Sequence, residues 1–143
     1  MKRALLDVNV LIALLDADHV SHRDALSWFA AHASQGWASC AITQNGCLRI
    51  MSLPGYPTPR PVSQIAERLR DAASTAVHEY WLDDISLLDA KLVDLRRVHS
   101  ARQLTDVYLL ALAVRHGGSL VTFDQSINVD AVCGATREHL VML

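Results

Sequence analysis

The chain has 143 residues, of which 51% are hydrophobic and 20% charged, and a formal net charge of -2 at pH 7. That is the balance of one soluble globular domain with a real core, spanning residues 1–143, and it excludes a disordered or fibrous chain. The charge excludes attraction to nucleic acid through the overall field, so such binding would need a local basic patch.

The N-terminal Met1-Lys2-Arg3 leads directly into an apolar run with no small-residue cleavage site after it, so no signal peptide is expected. Residues 4–7 read as a short buried strand, and 8–17 as a helix with little polar face, hence internal. A loop follows over 18–20. Ser21 is placed to cap a second helix, with Asp24 as its capping-box partner. That helix runs to about 34, with Ala25, Leu26, Phe29 and Ala33 on its apolar side and Gly36 as its stop. Residues 37–40 read as a second strand. Thr43 is a candidate cap for a third helix through 52, although Asn45-Gly46 is equally a turn pair. The Pro-rich stretch 54–61 reads as a surface loop.

Residues 62–73 form an amphipathic pattern, and 78–82 a third strand. A helix is expected from Asp84 or Ser86 to about 98, with Ser86 and Asp89 as a capping box. Residues 104–116 read as an apolar helix ended by Gly117-Gly118. Strands follow at 119–123 and 139–142. The longest apolar stretches, 8–15 and 107–114, are too short to cross a bilayer, and no membrane association is expected. Cys40, Cys47 and Cys133 are odd in number and lack metal-ligand spacing. They read as small buried hydrophobes in a reducing cytoplasm. Strands alternating with helices from end to end predict an α/β fold: three layers, α/β/α, around a central, mostly parallel five-stranded sheet.

Three aspartates stand where a buried apolar run meets a helix or turn signal. Asp7 closes Ala4-Leu5-Leu6, Asp106 lies near the start of the 104–116 helix, and Asp124 follows Leu120-Val121-Thr122-Phe123. In an open α/β sheet such positions gather at one edge. Each has a plainer reading as well: Asp7 as a helix N-cap, Asp106 as a partner of the helix dipole, Asp124 as a turn residue. Three carboxylates together repel one another and raise one another's pKa unless a cation is present. The cation such a cluster suits is Mg²⁺ or Mn²⁺, and the chemistry is metal-assisted phosphodiester hydrolysis.

Together these segments resemble a PIN-domain ribonuclease, specifically the VapC toxin of a type II toxin–antitoxin pair. LLDVNVLIALLD carries the family's Asp-x-Asn start at Asp7 and Asn9. AITQNGCLRI resembles the family's Thr-Glu-Asn-Gly-x-x-Arg helix through Thr43, Asn45, Gly46 and Arg49. LTDVYLLALAVRHGGSLVTFD matches the second half through Thr105, Asp106, Gly117, Thr122 and Asp124. The resemblance runs the length of the chain in the right order.

It implies a PIN-like fold, with Asp7, Gln44, Asp106 and Asp124 as the catalytic set and Asp7, Asp106 and Asp124 as ligands of Mg²⁺ or Mn²⁺. From the residues themselves, Asn9 reads as steadying the site or as a helix-start residue, Thr122 as a hydroxyl for water or metal or as an ordinary strand residue, and Arg49 as facing RNA or antitoxin or as an exposed helical arginine. The implied substrate is single-stranded or looped RNA, often tRNA or rRNA. The implied partners are a second copy of the chain and a small antitoxin of the VapB type. The antitoxin's tail would bring a basic residue into the acidic crevice. The chain departs from the pattern at Gln44, where the family has a glutamate. An amide offers an oxygen but no charge. That substitution leaves open a degenerate PIN domain that binds RNA or antitoxin without cutting.

Other features promise less. His19 and His22, three apart across a loop-to-helix boundary, read as solvated surface residues. Arg96, Arg97, His99 and Arg102 form the densest basic cluster, read as a solvated helix end or a grip on RNA phosphates. Trp28, Trp37 and Trp81 read as core or dimer-contact residues. A haloacid-dehalogenase-type phosphatase would need an acid where Asn9 stands, and a receiver domain would need a lysine beyond Lys91. A dinucleotide-binding fold would need a Gly-rich first turn.

Overall fold

Ala4–Leu6 (β1) is apolar at every position because it runs through the middle of the molecule, covered on both faces. The computed structural model describes residues 2–143. After β1 come α1 (Val8–Leu15), α2 (His22–His32), β2 (Trp37–Cys40), α3 (Ala41–Ser52), α4 (Val62–Ala73), β3 (His78–Trp81), α5 (Leu104–Arg115), β4 (Ser119–Thr122) and β5 (Leu140–Met142). The strands form one sheet in the order β3-β2-β1-β4-β5, and every pairing is parallel. The predicted α/β/α architecture is therefore present, with the sheet wholly rather than mostly parallel.

The two-residue period of the strands sorts the core into two halves. Leu5 aligns with Ala38 and Leu120, and all three face α5 with Cys40 and Trp81. Ala4 and Leu6 face the other way with Trp37 and Val121. There they meet Val10, Leu11 and Ile12 of α1, Cys47 and Met51 of α3, and Ile65 and Leu69 of α4. α5 is apolar nearly all round because the sheet covers one side and irregular chain much of the other. Ile85, Leu87, Leu92 and Val98 pack there, together with Val129 and Ala135. The helix ends as its Gly-Gly pair predicts. Gly117 takes φ 69, and the N–H of Gly118 reaches back to the Ala113 carbonyl at 2.8 Å.

The structure corrects the expected helix over 84–98. This segment is a chain of turns with one short 3₁₀ turn, Leu95–Arg97. Its polar side chains close those turns themselves: Ser86 accepts from the Leu88 N–H at 3.1 Å and Asp89 from the Lys91 N–H at 2.9 Å. Val93 instead pairs antiparallel with Val132, and backbone bonds join Asp94 to Ala131 and Cys133 to Leu92, both at 2.9 Å. This bridge buries Val93 and Val132 against α5, which a lone amphipathic helix would not do at this spacing.

Smaller corrections follow the same logic. α3 starts two residues before Thr43. Cys40 is its N-cap, and Thr43 acts from inside the first turn, its hydroxyl accepting from the Cys40 N–H at 2.9 Å. The Ser21–Asp24 box does not form; the Ser21 N–H donates to His19 Nδ1 instead, at 3.0 Å. Cys40 and Cys47 are buried as expected, whereas Cys133 is exposed.

Candidate active site

β1 and β4 are neighbours, and the chain leaves them toward opposite edges of the sheet, to β2 and to β5. Their carboxyl ends therefore open a crevice at the switch point. Asp7 is the residue after β1, and Asp124 lies two residues beyond β4. α5 precedes β4 and runs antiparallel to it, so its first turn, with Asp106, reaches the same edge. α3 leaves β2 directly at Cys40, which brings its first turns there too.

Asp7 N-caps α1 and belongs to the crevice at once, so its two sequence readings coexist. Its Oδ1 accepts from the Val8 N–H at 2.7 Å, and its Oδ2 accepts from the Thr122 hydroxyl at 2.8 Å. Thr122 Oγ1 in turn accepts from the Asp124 N–H at 3.0 Å, so one buried hydroxyl ties Asp7 to Asp124. Burial pushes the Asp7 carboxyl above its ordinary range, while the Thr122 and Val8 bonds pull it back. Asp124 lies below its ordinary range because the Ser126 hydroxyl and N–H donate to its Oδ1 at 2.6 and 2.8 Å.

Asp106 is pushed up to about 7, first by burial, then by a hydrogen bond with Asp124, then by the charges of Asp7 and Asp124. A hydrogen bond between two carboxyls requires a proton, and these environments place it on Asp106 while Asp124 stays ionised. The structure thus brings Asp7, Asp106 and Asp124 together, as expected. They line a cleft of ≈ 340 Å³ whose polar walls also include Asn9, Thr105, Asn45 and Arg49, with Gly46, Val8, Ile42 and Ile50 beside them. A larger hollow of ≈ 620 Å³ beside β5 holds none of the three aspartates, so size alone does not mark the site.

Gln44 is the exception among the expected catalytic residues. It is absent from the cleft wall, and its Nε2 donates to the buried Ser39 Oγ at 2.9 Å. Successive residues of a helix point about 100° apart, so a side chain turned toward β2 leaves the cleft to its neighbours. Asn45 and Ser126 were missed as site residues. Asn45-Gly46 resembled a turn, and Ser126 could have been found from its Asp-x-Ser spacing, which lets it donate back to Asp124. Gly46 is required because a Cβ there would lie 2.7 Å from Val8 Cγ2, across the close α1–α3 contact.

The lesser readings resolve as well. His19 and His22 are half-buried and occupied with backbone, His22 Nδ1 lying 2.7 Å from the Ala13 carbonyl. Arg96 and Arg97 pair with Asp94 at 3.0 and 3.5 Å. Trp37 and Trp81 are core residues, and Trp28 is half-buried, stacked on His32.

The donor set fits a hard cation. Among the described residues no three His, Cys, Asp or Glu side chains form a closed set of ligands. Mg²⁺ does not need one, since it binds through one or two carboxylates and retains several waters. The shared proton between Asp106 and Asp124 marks where positive charge is wanted.

An all-parallel sheet with three carboxylates at its switch point defines the class, and residues 4–131 match the family model of the PIN domain. The chain belongs to that family, as the motifs at Asp7, Asp106 and Asp124 implied. It is 55% identical over 141 residues to ribonuclease VapC44 of Mycobacterium tuberculosis, covering 99% of each chain. Ribonuclease VapC39 of the same organism is 42% identical over 132 residues, 92% of this chain and 95% of the relative. Ribonuclease VapC38 is 38% identical over 125 residues, 87% and 86% respectively.

Proposed function

We propose that the chain is a metal-dependent endoribonuclease, the toxin of a type II toxin–antitoxin module, hydrolysing RNA phosphodiester bonds. The observation that carries this reading is the carboxyl trio of Asp7, Asp106 and Asp124 around one cleft, where burial first and the neighbouring carboxyls second push Asp106 up to about 7. The names of the VapC relatives support the same activity. A bound Mg²⁺ or Mn²⁺ would supply charge neutralisation on the phosphate and a more acidic water.

The chain's own residues do the rest. Asp7, fixed by Val8 and Thr122, and Asp124, fixed by Ser126, present ionised or readily ionised oxygens. Asp7, Asp106 and Asp124 would hold the cation, whose charge would favour the ionised form of Asp106. Thr122 holds Asp7 and Asp124 in mutual register. Asn9 and Asn45 offer neutral hydrogen bonds to water or phosphate, and Arg49 offers a cation at the cleft mouth. In a chain of net charge -2, such a local cation is where an RNA phosphate is held. The same cleft suits the basic tail of a VapB-type antitoxin. We further assign the protein to the cytoplasm, as a homodimer acting on single-stranded or looped RNA such as tRNA or rRNA. Among the described residues no helix is long and apolar enough to cross a membrane.

Incubation of the purified chain with RNA and Mg²⁺ tests the activity. Cleavage is expected, with a loss of at least about 100-fold in Asp7→Asn or on chelation. Cleavage that persists unchanged in Asp7→Asn with chelator present overturns the assignment.

A further inference from the structure

Position 44 is where the family carries an acid, yet here its side chain belongs to another network. The Gln44 Nε2 donates to Ser39 Oγ at 2.9 Å, and Ser39 Oγ lies 2.8 Å from His78 Nε2. Ser39 is fully buried in β2, and His78 on β3 aligns with Trp37, two residues before Ser39 on the same face of the sheet, so it reaches Ser39 diagonally. His78 also bonds to the Ala73 backbone at the end of α4, and Trp37 covers its ring with centroids 4.3 Å apart. A donor at each step gives one consistent direction: Gln44 amide to Ser39, Ser39 hydroxyl to His78 Nε2, His78 Nδ1–H to the Ala73 carbonyl. One side chain of α3 is thereby tied to β2, β3 and α4.

We propose that Gln44 is a positioning residue: through Ser39 and His78 it fixes the rotation of α3, so that Asn45 and Arg49, one helical turn apart, face the acidic cleft. Both line that cleft and Gln44 does not. Gly46, on the same helix face, lets α3 approach Val8 closely enough for this setting to matter. The acid missing at 44 is then not a lost ligand, and the three aspartates constitute the whole charged set. The inference rests on the cleft being the working site, but two of its readouts do not require cleavage.

The network also predicts what the family's own residue would do here. A glutamate at 44 accepts only, so the Ser39 hydroxyl would turn to donate to it. His78 Nε2 would then take up a proton to donate to Ser39. Burial holds the His78 imidazolium down, with Arg3 opposing it and Glu79 favouring it.

The test uses the full chain, Gln44→Glu and the uncharged Gln44→Met. Calorimetry with Mn²⁺ alone is expected to give dissociation constants within about threefold of the parent for both variants, against the 10- to 100-fold effects of true ligand-shell changes. Tighter binding in Gln44→Glu, or weaker binding in Gln44→Met, beyond that margin overturns the proposal. Imidazole NMR is expected to show the His78 pKa raised by about one unit or more in Gln44→Glu. An unmoved His78 overturns it. Gln44→Met keeps the affinity readout available if the charged variant does not fold. With RNA, Gln44→Met is expected to raise KM more than it lowers kcat; a fall in kcat at unchanged KM overturns the positioning role. A parent that cuts no RNA sinks the nuclease reading while the Mn²⁺ and His78 readouts still decide this one.

Discussion

Thr122 shows how much one hydroxyl can organise. It is fully buried, donates to Asp7 Oδ2 and accepts from the Asp124 N–H, so it spends both capacities on the two aspartates. Replacing it by valine keeps the shape but leaves a buried carboxyl oxygen and a backbone N–H without their partner. An unsatisfied buried group costs about 1–3 kcal/mol. Thr122→Val is therefore expected to lower unfolding free energy by about that amount in a urea titration, with activity falling as Asp7 and Asp124 lose register. Thr122→Ser, which keeps the hydroxyl, is expected to retain most of both. Equal loss in the two variants would show that the methyl group, not the hydroxyl, matters.

At the scale of elements, the cleft exists because α1 and α3 approach closely. Val8 opens α1 beside Asp7, and Gly46 lies against it in α3. Two effects of Gly46→Ala compete. Alanine favours a helix by about 1 kcal/mol over glycine. Overpacking costs about 1–3 kcal/mol, and a Cβ at 2.7 Å from Val8 Cγ2 and 3.2 Å from Cγ1 meets a β-branched, stiff side chain. The clash is expected to win. Gly46→Ala should be destabilised by about 1 kcal/mol and lose RNA cleavage as α3 moves away from α1. Restoration of both by adding Val8→Ala would identify the contact; a stabilised, fully active Gly46→Ala would refute it.

For the whole molecule, the acidic trio makes stability depend on pH and on metal. Asp106 keeps its proton to about pH 7 when folded but only to about 3.8, the ordinary value, when unfolded. Between those values the native chain binds more protons, so this group's contribution to stability falls as pH rises through the window. Asp106→Asn has no such proton to lose. Its melting temperature relative to the parent is expected to rise steadily from pH 4 to pH 7 without metal. Mg²⁺ should reverse the trend for the parent alone, because the cation favours the ionised form and stabilises the fold by mass action. A difference between parent and Asp106→Asn that does not vary with pH would contradict the shared proton.

Alternation of apolar strands with helices settled the α/β/α class from sequence, because burial on both faces leaves a continuous apolar run that short segments such as Ala4-Leu5-Leu6 display openly. Asp7, Asp106 and Asp124 were legible for a related reason: each adjoins such a run, and parallel topology carries those junctions to one edge. The 84–98 segment was not legible. Its turns depend on Val93 meeting Val132, a contact between residues far apart in the chain that local pattern does not encode. The direction of the Gln44 side chain, away from the cleft wall, was not legible on similar grounds. Motif alignment places Gln44 next to Asn45, but which of two adjacent helical residues enters a cleft is set by how the helix is rolled against its sheet. Here a buried serine on β2 and a histidine on β3 decide it. Local chemistry thus fixed which residues are present and which elements carry them, while only tertiary packing chose the directions in which their side chains point.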